Sequence, residues 1–448
     1  MSFGCGLSGH LDAVTAAEQA CDRALEDLTG GTDPSKASDS DTGSGASSEA
    51  GSEAGSGVDL VVLFCSGEHA KQADQIAAIA RARLSPTTLI GTTAASLVGG
   101  ASELENAAGI SVLAARLPGV SIHPFDQRDI LPFDDTSPRG LERLAEGMGL
   151  TAGGLEARGT MLFVDPFSVP MVRLLPALNR ARLNTAPIFG GMAAAASEPG
   201  GNAMILNDSI ADRGLVGVTF HGAITIDTVI SQGCRAIGPN FVVTKAKNNM
   251  ILELGGQPAL EVVQQTLGDL GQETQDLLRK GGLLIGRVVD EYKERFGRDD
   301  YLIRNVVGAD EASNGVAWGD MIRVGQTVSM HVRDPQSASD DLAMLLDAQK
   351  LRSRPAGALV FPCTSRGEAF FGEPNHDASA MVRAFAGRAV PAEESARSGQ
   401  QIQTWHKALP QAGFFAAGEI GPVGGEAFLH GHTLSAALFR DPQEQDQT

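Results

Sequence analysis

Apolar and polar residues alternate along this chain in two patterns, one typical of helices and one typical of strands. Residues 11–28 repeat Leu, Val, Ala and Cys at three- and four-residue steps, which predicts an amphipathic helix. Residues 58–66 (VDLVVLFCS) form a short continuous apolar run, which indicates a buried strand. A helical pattern over 68–84 follows directly. This alternation of strand and helix favours an α/β layer structure.

The rest of the chain extends this pattern to more strands than a simple doubly wound domain needs. The other predicted strands of the first half are 87–91, 109–117, 159–167 and 186–190. Two further strands are joined at His221-Gly222 like a hairpin. The predicted strands of the second half are 283–289, 301–307, 326–332, 357–363 and 426–437. The remaining predicted helices are 168–183, 258–268, 270–280, 337–352 and 377–387. We therefore predict an α/β fold of mixed β-sheets packed with outer helices.

A sharp change of composition predicts the domain organisation. Residues 29–57 are rich in Gly, Ser, Ala and acidic residues and have no large apolar side chain, so they cannot bury a core. We predict a disordered acidic linker there, after an N-terminal helix within residues 1–28. Gly255-Gly256 is the predicted joint between two folded domains, 58–256 and 257–440.

The charge balance argues against polyanionic partners. The chain has 35 Lys and Arg against 54 Asp and Glu, a net charge of −19, which repels nucleic-acid backbones and anionic lipid. Aromatic residues make up only 5%, and sites that stack bases need them. No apolar run is long enough for a transmembrane helix, and the first residues do not resemble a secretory signal. We expect a protein that binds neither nucleic acid nor membrane.

The sequence carries no recognisable cofactor or metal motif. The five cysteines stand far apart without a CxxC pair, which fits a reducing cytoplasm better than a disulfide framework or a zinc ribbon. Neither a phosphate-binding GxxxxGK[ST] loop nor GxSxG nor HExxH occurs. One GxGxxG does occur at residues 4–9, but only three residues precede it, too few for the strand that a dinucleotide fold needs. We predict no catalytic residue, cofactor or metal.

Polar residues in glycine-rich turns after apolar strands are the candidate ligand contacts. Cys363, Arg366 and Gly367 follow the apolar run GALVF, and Arg366 could hold a carboxylate or phosphate through two parallel hydrogen bonds. The alternative is a surface arginine in an acidic protein. Glu419 stands between glycines and either accepts a hydrogen bond from a ligand amine or from Arg366, or caps a turn. Cys363 as a nucleophile would need a base, for which His376 and His430 are candidates.

Two further pairs of polar residues complete the candidate site. Arg304 and Asn305 end an apolar strand, where a buried arginine needs a partner, either a ligand anion or an internal carboxylate such as Asp320. His430 and His432 stand two residues apart, so on a strand both would face one side, as two metal ligands would. The alternative is that His430 is a hydrogen-bonding core residue, with Thr433 beside it.

Several of these stretches resemble the FIST family, in which an N-terminal and a C-terminal domain stand in tandem. The N-terminal motifs are LFCSGEHA (63–70), LIGTTAASLVGG (89–100), GISVLAARLPGV (109–120), FVDPFSVP (163–170), PIFGGMA (187–193) and SQGCRAIGP (231–239). The C-terminal motifs are DYLIRNVVGAD (300–310), VGQTVSMHVRD (324–334), LVFPCTSRGEAFFG (359–372), PNHDASA (374–380) and GFFAAGEIGPVGGEAFLHGHT (413–433). One departure is Thr92, which stands where the family often has Cys.

The resemblance implies a cytoplasmic, non-catalytic sensor in which the two predicted domains are FIST-type domains. Such a sensor binds a small metabolite, with amino acids proposed, and passes the signal to an unidentified partner protein. A cleft shared by the two domains is the expected site. Arg304 or Arg366 would hold a carboxylate and Glu419 an amine. The alternatives are a protein-interaction scaffold, as in F-box relatives, and an enzyme that uses Cys363 with a nearby histidine.

Overall fold

The computed structural model describes residues 1–30, 57–133, 135–151, 154–182, 185–386 and 408–442. Within these ranges the strands form four mixed or antiparallel sheets. The first sheet contains β1 (Ser2–Ser8), β2 (Leu60–Ser66), β3 (Thr88–Ala94), β6 (Ile110–Arg116), β10 (Met204–Leu206) and β11 (Ser209–Ala211). The second contains β7 (Val120–Asp126), β8 (Ala157–Val164), β9 (Ile188–Met192), β12 (Leu215–Gly222), β23 (Glu419–Val423) and β24 (Glu426–His430). The third contains β4 (Leu97–Gly99), β5 (Ser102–Leu104), β13 (Thr225–Gln232), β21 (Gly357–Pro362), β22 (Gln411–Phe414) and β25 (Thr433–Arg440).

These three sheets are built on one plan, so the chain contains three structural repeats. In strand order they are β1-β6-β2-β3-β10-β11, β7-β12-β8-β9-β23-β24 and β13-β25-β21-β22-β4-β5. Each has a parallel pair at its centre (β2–β3, β8–β9 and β21–β22), two antiparallel strands on one side and a short hairpin on the other. We call the segments that supply the central pairs the first, second and third repeats.

The hairpins are exchanged among the repeats. Hairpin β4–β5 follows β3 in the chain but pairs with β22 of the third sheet. Hairpin β10–β11 follows β9 but pairs with β3, and hairpin β23–β24 follows β22 but pairs with β9. Each repeat therefore completes the sheet of another, and the two halves of the chain form one interlocked core.

Equivalent side chains confirm that the three repeats correspond. Gly91, Gly190 and Gly413 occupy equivalent positions, and each pairs with the first strand of its central parallel pair. A Cβ added at any of the three would lie within 2.0 Å of a carbonyl oxygen of that strand. One residue further along that strand are Phe64, Phe163 and Phe361, whose ring centroids lie 5.3–6.4 Å apart. The inner faces of the three sheets meet in this buried aromatic cluster.

Helices cover the outer face of each sheet, as the amphipathic patterns predict. The first sheet carries α1 (Ala13–Thr29) and α2 (Ala73–Leu84). The second carries α3 (Gln127–Ile130), α4 (Pro138–Gly147) and α5 (Met171–Ala181). The third carries α8 (Pro335–Gln349) and α10 (His376–Phe385), and α9 (Glu368–Phe371) lies in the same connection as α10. No helix in the described ranges is long and apolar enough to cross a membrane.

Residues 234–333 form a separate unit, the inserted unit, between β13 and α8. Its strands are β14 (Cys234–Lys247), β15 (Met250–Leu254), β16 (Gln257–Pro258), β17 (Leu283–Val288), β18 (Tyr301–Asp310), β19 (Gly315–Trp318) and β20 (Thr327–Arg333). Its helices are α6 (Ala259–Gly268) and α7 (Gln272–Gly281). The chain enters and leaves at one point, because Cys234 pairs with Arg333 and Asp334 N donates to Gly233 O at 3.2 Å.

The predicted class, mixed sheets with outer helices, is confirmed, whereas some local predictions are wrong. The N-terminal segment contains β1 as well as a helix, and the first five residues of the GxGxxG pattern, 4–8, lie on that strand. The strands on either side of His221-Gly222 form no hairpin, since β12 is already flanked by β7 and β8 and β13 crosses to another sheet. The predicted linker 29–57 lies almost wholly outside the described residues. Gly255 and Gly256 form the turn between β15 and β16.

Candidate functional site

The candidate site begins where β21 ends, at a position that has two equivalents in the other repeats. In each repeat, one residue lies at the end of the first central strand or directly after it. Its backbone N–H donates to a backbone carbonyl at, or just before, the start of the adjacent antiparallel strand. The three bonds are Ser66 N to Gly109 O (3.0 Å), Asp165 N to Gly214 O (2.8 Å) and Cys363 N to Thr433 O (2.9 Å). The backbone is therefore shared, and only the third repeat places a thiol and a threonine hydroxyl there.

Glu419 is the second feature specific to the third repeat. It pairs with Gly191 at the start of the exchanged hairpin, where the other hairpins have Leu97 and Met204. Its side chain is fully buried, and Thr433 donates to Oε2 from its backbone N (3.2 Å) and its Oγ1 (2.7 Å). Oε1 has no hydrogen-bond partner. Burial raises the pKa of Glu419 to about 8, so the carboxyl is largely protonated at neutral pH.

The Cys363 thiol lies between Glu419 and Ser365. Ser365 Oγ donates to Cys363 Sγ at 3.2 Å, and the thiol also interacts with the Glu419 carboxyl. Burial, with a smaller contribution from Glu419, raises the pKa of Cys363 to about 11. Little thiolate is therefore present at neutral pH, which disfavours Cys363 as a nucleophile.

The histidines predicted as bases for Cys363 are engaged elsewhere. His376 Nε2 lies 2.8 Å from Ser339 Oγ and its Nδ1 lies 3.0 Å from Asp377 Oδ1. His430 Nε2 lies 3.0 Å from Gly421 O, which makes it a hydrogen-bonding core residue. The histidine that reaches the site is His432.

His432 connects the core to the inserted unit. Its Nδ1 lies 3.1 Å from Ser365 Oγ, and its Nε2 lies 3.0 Å from Asn305 Oδ1 on β18. The prediction that His430 and His432 share one strand face is wrong, because β24 ends at His430 and His432 lies in the turn before β25. No group of three or more His, Cys, Asp or Glu in the described ranges is placed to hold a metal ion.

Arg366 is buried and its main bonds are internal. Its Nε and Nη2 donate to the two oxygens of Asp377 on α10 at 2.7 and 2.9 Å, while Nη1 has no partner. Burial alone would raise the pKa of Asp377, but the Arg366 guanidinium offsets this and holds it at about 2. This ion pair fastens the turn after β21 to the helix that covers the third sheet.

Arg304 also has partners within the protein. This agrees with the alternative, given in the sequence analysis, that an internal carboxylate and not a ligand anion pairs with it. Its Nε lies 3.8 Å from Asp320 Oδ2, and its Nη2 donates to Leu429 O in the β23–β24 hairpin. Burial lowers its pKa. With Asn305, this residue fixes the edge of the inserted unit against the core.

A cavity of about 480 Å³ opens between the core and the inserted unit beside this cluster. The core contributes Glu105, Thr364, Ser365, Gly367 and Phe370, among others, and the inserted unit contributes Lys280 and Arg333. Arg333 donates to Ser365 O, and its guanidinium lies over the Phe370 ring at 4.3 Å. This volume lies in the range typical of small-molecule sites.

Two family models match the two halves of the chain and meet inside the inserted unit, between β16 and α6. The FIST N domain matches residues 59–257 and the FIST C domain matches residues 259–422. The chain belongs to the FIST family. FIST domains are associated with signal transduction and with the sensing of small ligands. The exact boundaries 58–256 and 257–440 stay a prediction.

This FIST chain also matches mycobacterial proteins over most of its length. The uncharacterized protein Rv0628c of Mycobacterium tuberculosis (strain ATCC 25618 / H37Rv) is 33% identical over 98% of this chain and 100% of that protein. The uncharacterized protein Mb0898c of Mycobacterium bovis (strain ATCC BAA-935 / AF2122/97) is 32% identical over 87% of this chain and 93% of that protein. The tandem arrangement therefore extends to relatives of similar length.

The residues predicted from sequence are brought together, but they mostly lie behind the cavity. Cys363, Arg366, Glu419 and Thr433 are buried, and Gly367 alone of the predicted site residues is among those that line the described cavity. Sequence analysis missed the lining residues Ser365, Glu105, Lys280 and Arg333. Ser365 and Arg333 lie inside the FIST-like motifs 359–372 and 324–334, whereas Glu105 and Lys280 come from distant segments and no local signal marks them.

Proposed function

We propose that this FIST protein is a sensor that binds a small amino-acid-like metabolite in the cavity between the core and the inserted unit. One observation carries the proposal. The three repeats share a backbone, and the third places the buried Cys363, Glu419 and Thr433 where the cavity meets the inserted unit, whereas the equivalent end of the second has Asp165 bonded to Asn202. Buried polar groups cost stability unless they are paired, so such a cluster indicates a function.

The charges around the cavity support an amino-acid-like ligand. Lys280 and Arg333 present positive charge from the inserted unit and suit a carboxylate. Glu105 presents a carboxyl from the core and suits an amine. In this proposal Arg333 and Glu105 take the roles first assigned to Arg366 and Glu419, because Asp377 already occupies Arg366.

The route of the signal follows from the single attachment of the inserted unit. A ligand that bridges Lys280 and Glu105 draws the unit toward the core, about the joined segments at Gly233 and Asp334. A partner protein then distinguishes the two positions of the unit. The raised pKa of Cys363 supports binding without thiol chemistry. The five free cysteines support a place in the cytoplasm.

The test is a thermal-shift screen of the full chain against each of the twenty amino acids and a set of polyamines and keto acids. A ligand at a hundredfold its Kd stabilises by about 2.7 kcal/mol, or roughly 5–11 °C for a unit of 150–250 residues. We expect one class to raise the Tm. Lys280→Glu and Glu105→Gln should abolish that shift, whereas the exposed control Lys247→Glu should keep it.

Two outcomes contradict the proposal. A screen without a hit, on protein that melts cooperatively, favours the interaction scaffold. A hit that survives both Lys280→Glu and Glu105→Gln places the ligand elsewhere.

A further inference from the structure

Ser365 lines the cavity and forms a continuous hydrogen-bonded relay with two side chains that are not among the lining residues. Ser365 Oγ lies 3.1 Å from His432 Nδ1, and His432 Nε2 lies 3.0 Å from Asn305 Oδ1. The three residues come from the turn after β21, the turn before β25 and strand β18. With its Nε2 proton given to the amide oxygen, His432 keeps the Nδ1 lone pair for the Ser365 hydroxyl. A nucleophile, a base and a group that orients the base are therefore in line.

The backbone holds His432 in a conformation that histidine adopts infrequently. Its φ is +63°, in the left-handed region, where a side chain with a Cβ is disfavoured. This turn is what points the ring away from β25 and toward Ser365 and Asn305. Strain of this kind persists where the surrounding structure fixes it, here through bonds to two different parts of the chain.

The base is neutral over the physiological range. Burial, together with the positive charges of Arg333 on β20 and Arg304 on β18, lowers the pKa of His432 to about 4. Its contact on the remaining side, Asn305, is uncharged. Nδ1 is therefore free to accept a proton at any pH well above 4.

Ser365 is the accessible nucleophile of this cluster. It lines the cavity and is half-buried, whereas Cys363 behind it is 6% exposed. The Ser365 hydroxyl has one proton and two acceptors, Cys363 Sγ and His432 Nδ1. Movement of that proton toward His432 makes Ser365 Oγ more nucleophilic.

We propose that Ser365, His432 and Asn305 form a catalytic site that hydrolyses small carboxylic esters bearing a second anionic group. Ser365 Oγ attacks the ester carbonyl carbon while its proton passes to His432 Nδ1. The tetrahedral adduct breaks its bond to the alkoxy oxygen, which takes that proton and leaves as the alcohol. Water then attacks the acyl-serine, gives a proton to Nδ1, and the proton returns to Ser365 as the acid leaves. Lys280 and Arg333 hold the anionic group of the substrate.

This activity goes beyond sensing and shares only the cavity with the proposed sensor. The first test labels the full native chain with phenylmethylsulfonyl fluoride and locates the adduct by mass spectrometry. We expect the label on Ser365. Because no variant is needed, the result does not depend on whether a mutant folds. A label on Cys363, or none on Ser365, overturns the assignment.

The second test measures hydrolysis of p-nitrophenyl acetate and of the anionic mono-p-nitrophenyl succinate. Ser365→Ala should lower kcat/KM by roughly 10²–10⁴-fold, while the exposed control Ser209→Ala should leave it unchanged. Asn305→Ala should lower kcat, and Lys280→Ala should raise KM for the succinate ester alone. The rate should stay level from pH 5 to 8 because His432 remains neutral. Equal rates for Ser365→Ala and the native chain overturn this activity, while the ligand screen tests the sensor separately.

Discussion

The ends of strands β2 and β21 have the same backbone but different side chains. At β2 the equivalent positions are Ser66, Gly109 and the apolar Leu97; at β21 they are Cys363, Thr433 and the buried Glu419. Both ends open beside a cavity, of about 610 and 480 Å³ respectively. The first end shows that the fold does not require a carboxyl at this position. The polar cluster of the third repeat is therefore a separate feature, added to a framework that is stable without it.

The largest effect should come from the framework that both ends share. Gly91→Ala and Gly413→Ala each place a Cβ within 2.0 Å of a carbonyl oxygen on the neighbouring strand. We expect each to lower the free energy of unfolding by more than about 4 kcal/mol, because the strands must separate. Urea denaturation with Gly268→Ala as control, where no atom lies within 4 Å, measures this. A large effect at one glycine only would contradict the equivalence of the repeats.

The next effect is specific to the third repeat. Arg366→Met leaves Asp377 buried without its cation, which should cost about 3–5 kcal/mol. The double variant Arg366→Met/Asp377→Leu should recover much of that loss, because no unpaired charge remains. Denaturation of both proteins at pH 7 makes the measurement. Similar losses in the two would show that packing around the arginine, and not the buried charge, holds the turn.

The pH dependence of stability is a further difference that we expect between the two strand ends. The pKa of Glu419 rises from 4.5 to about 8 on folding, so the folded state binds its proton more tightly. The free energy of unfolding should therefore fall as pH rises from about 4.5 to about 8, by at most about 1.4 kcal/mol per pH unit from this group. Glu419→Gln should remove that slope. A smaller slope that ends near pH 7 should remain, since burial raises the pKa of Glu103 to about 7.

The smallest effect should come from replacing Glu419 of the third repeat with leucine, the residue that the first repeat has at the equivalent position. Glu419→Leu removes a carboxyl oxygen that has no partner but also the acceptor of both Thr433 bonds, and because these effects oppose each other we expect the unfolding free energy to change by less than about 1 kcal/mol at pH 7. Leu97→Met in the first repeat is the matched control and should change little. Thermal and urea unfolding measure both. A marked loss of stability in Glu419→Leu would mean that the carboxyl supports the fold.

The local pattern of apolar and polar residues predicts helices and strands of this fold, but it does not predict which distant strands pair. The helix predicted over 11–28 is found at Ala13–Thr29, and the apolar run at 58–66 forms β2. The local pattern does not predict strand β1, because Gly4 and Gly6 interrupt its apolar residues. Gly6 lets helix α1 approach, since a Cβ there would lie 1.9 Å from Ala20 O. The exchanged hairpins join segments from different repeats, which no local periodicity encodes.

The candidate site shows the same division. Cys363, Arg366 and Glu419 were predicted because each stands in a glycine-rich turn after an apolar strand, and the fold brings these turns together. His432 was placed on the wrong element because the two-residue spacing from His430 suggests a continuous strand, whereas the chain turns between them. Lys280 and Arg333 reach the cavity only through the position of the inserted unit, which depends on contacts across the whole chain.

The adjacent entry and exit of the inserted unit make it replaceable. Because Cys234 pairs with Arg333 and Asp334 bonds to Gly233, a short peptide linker spans the gap that residues 234–333 now fill. Without the inserted unit, the three-repeat core has one position, beside the Cys363 cluster, at which another segment can be inserted. The same geometry allows related chains to exchange this unit by recombination without disturbing the order of strands in the core.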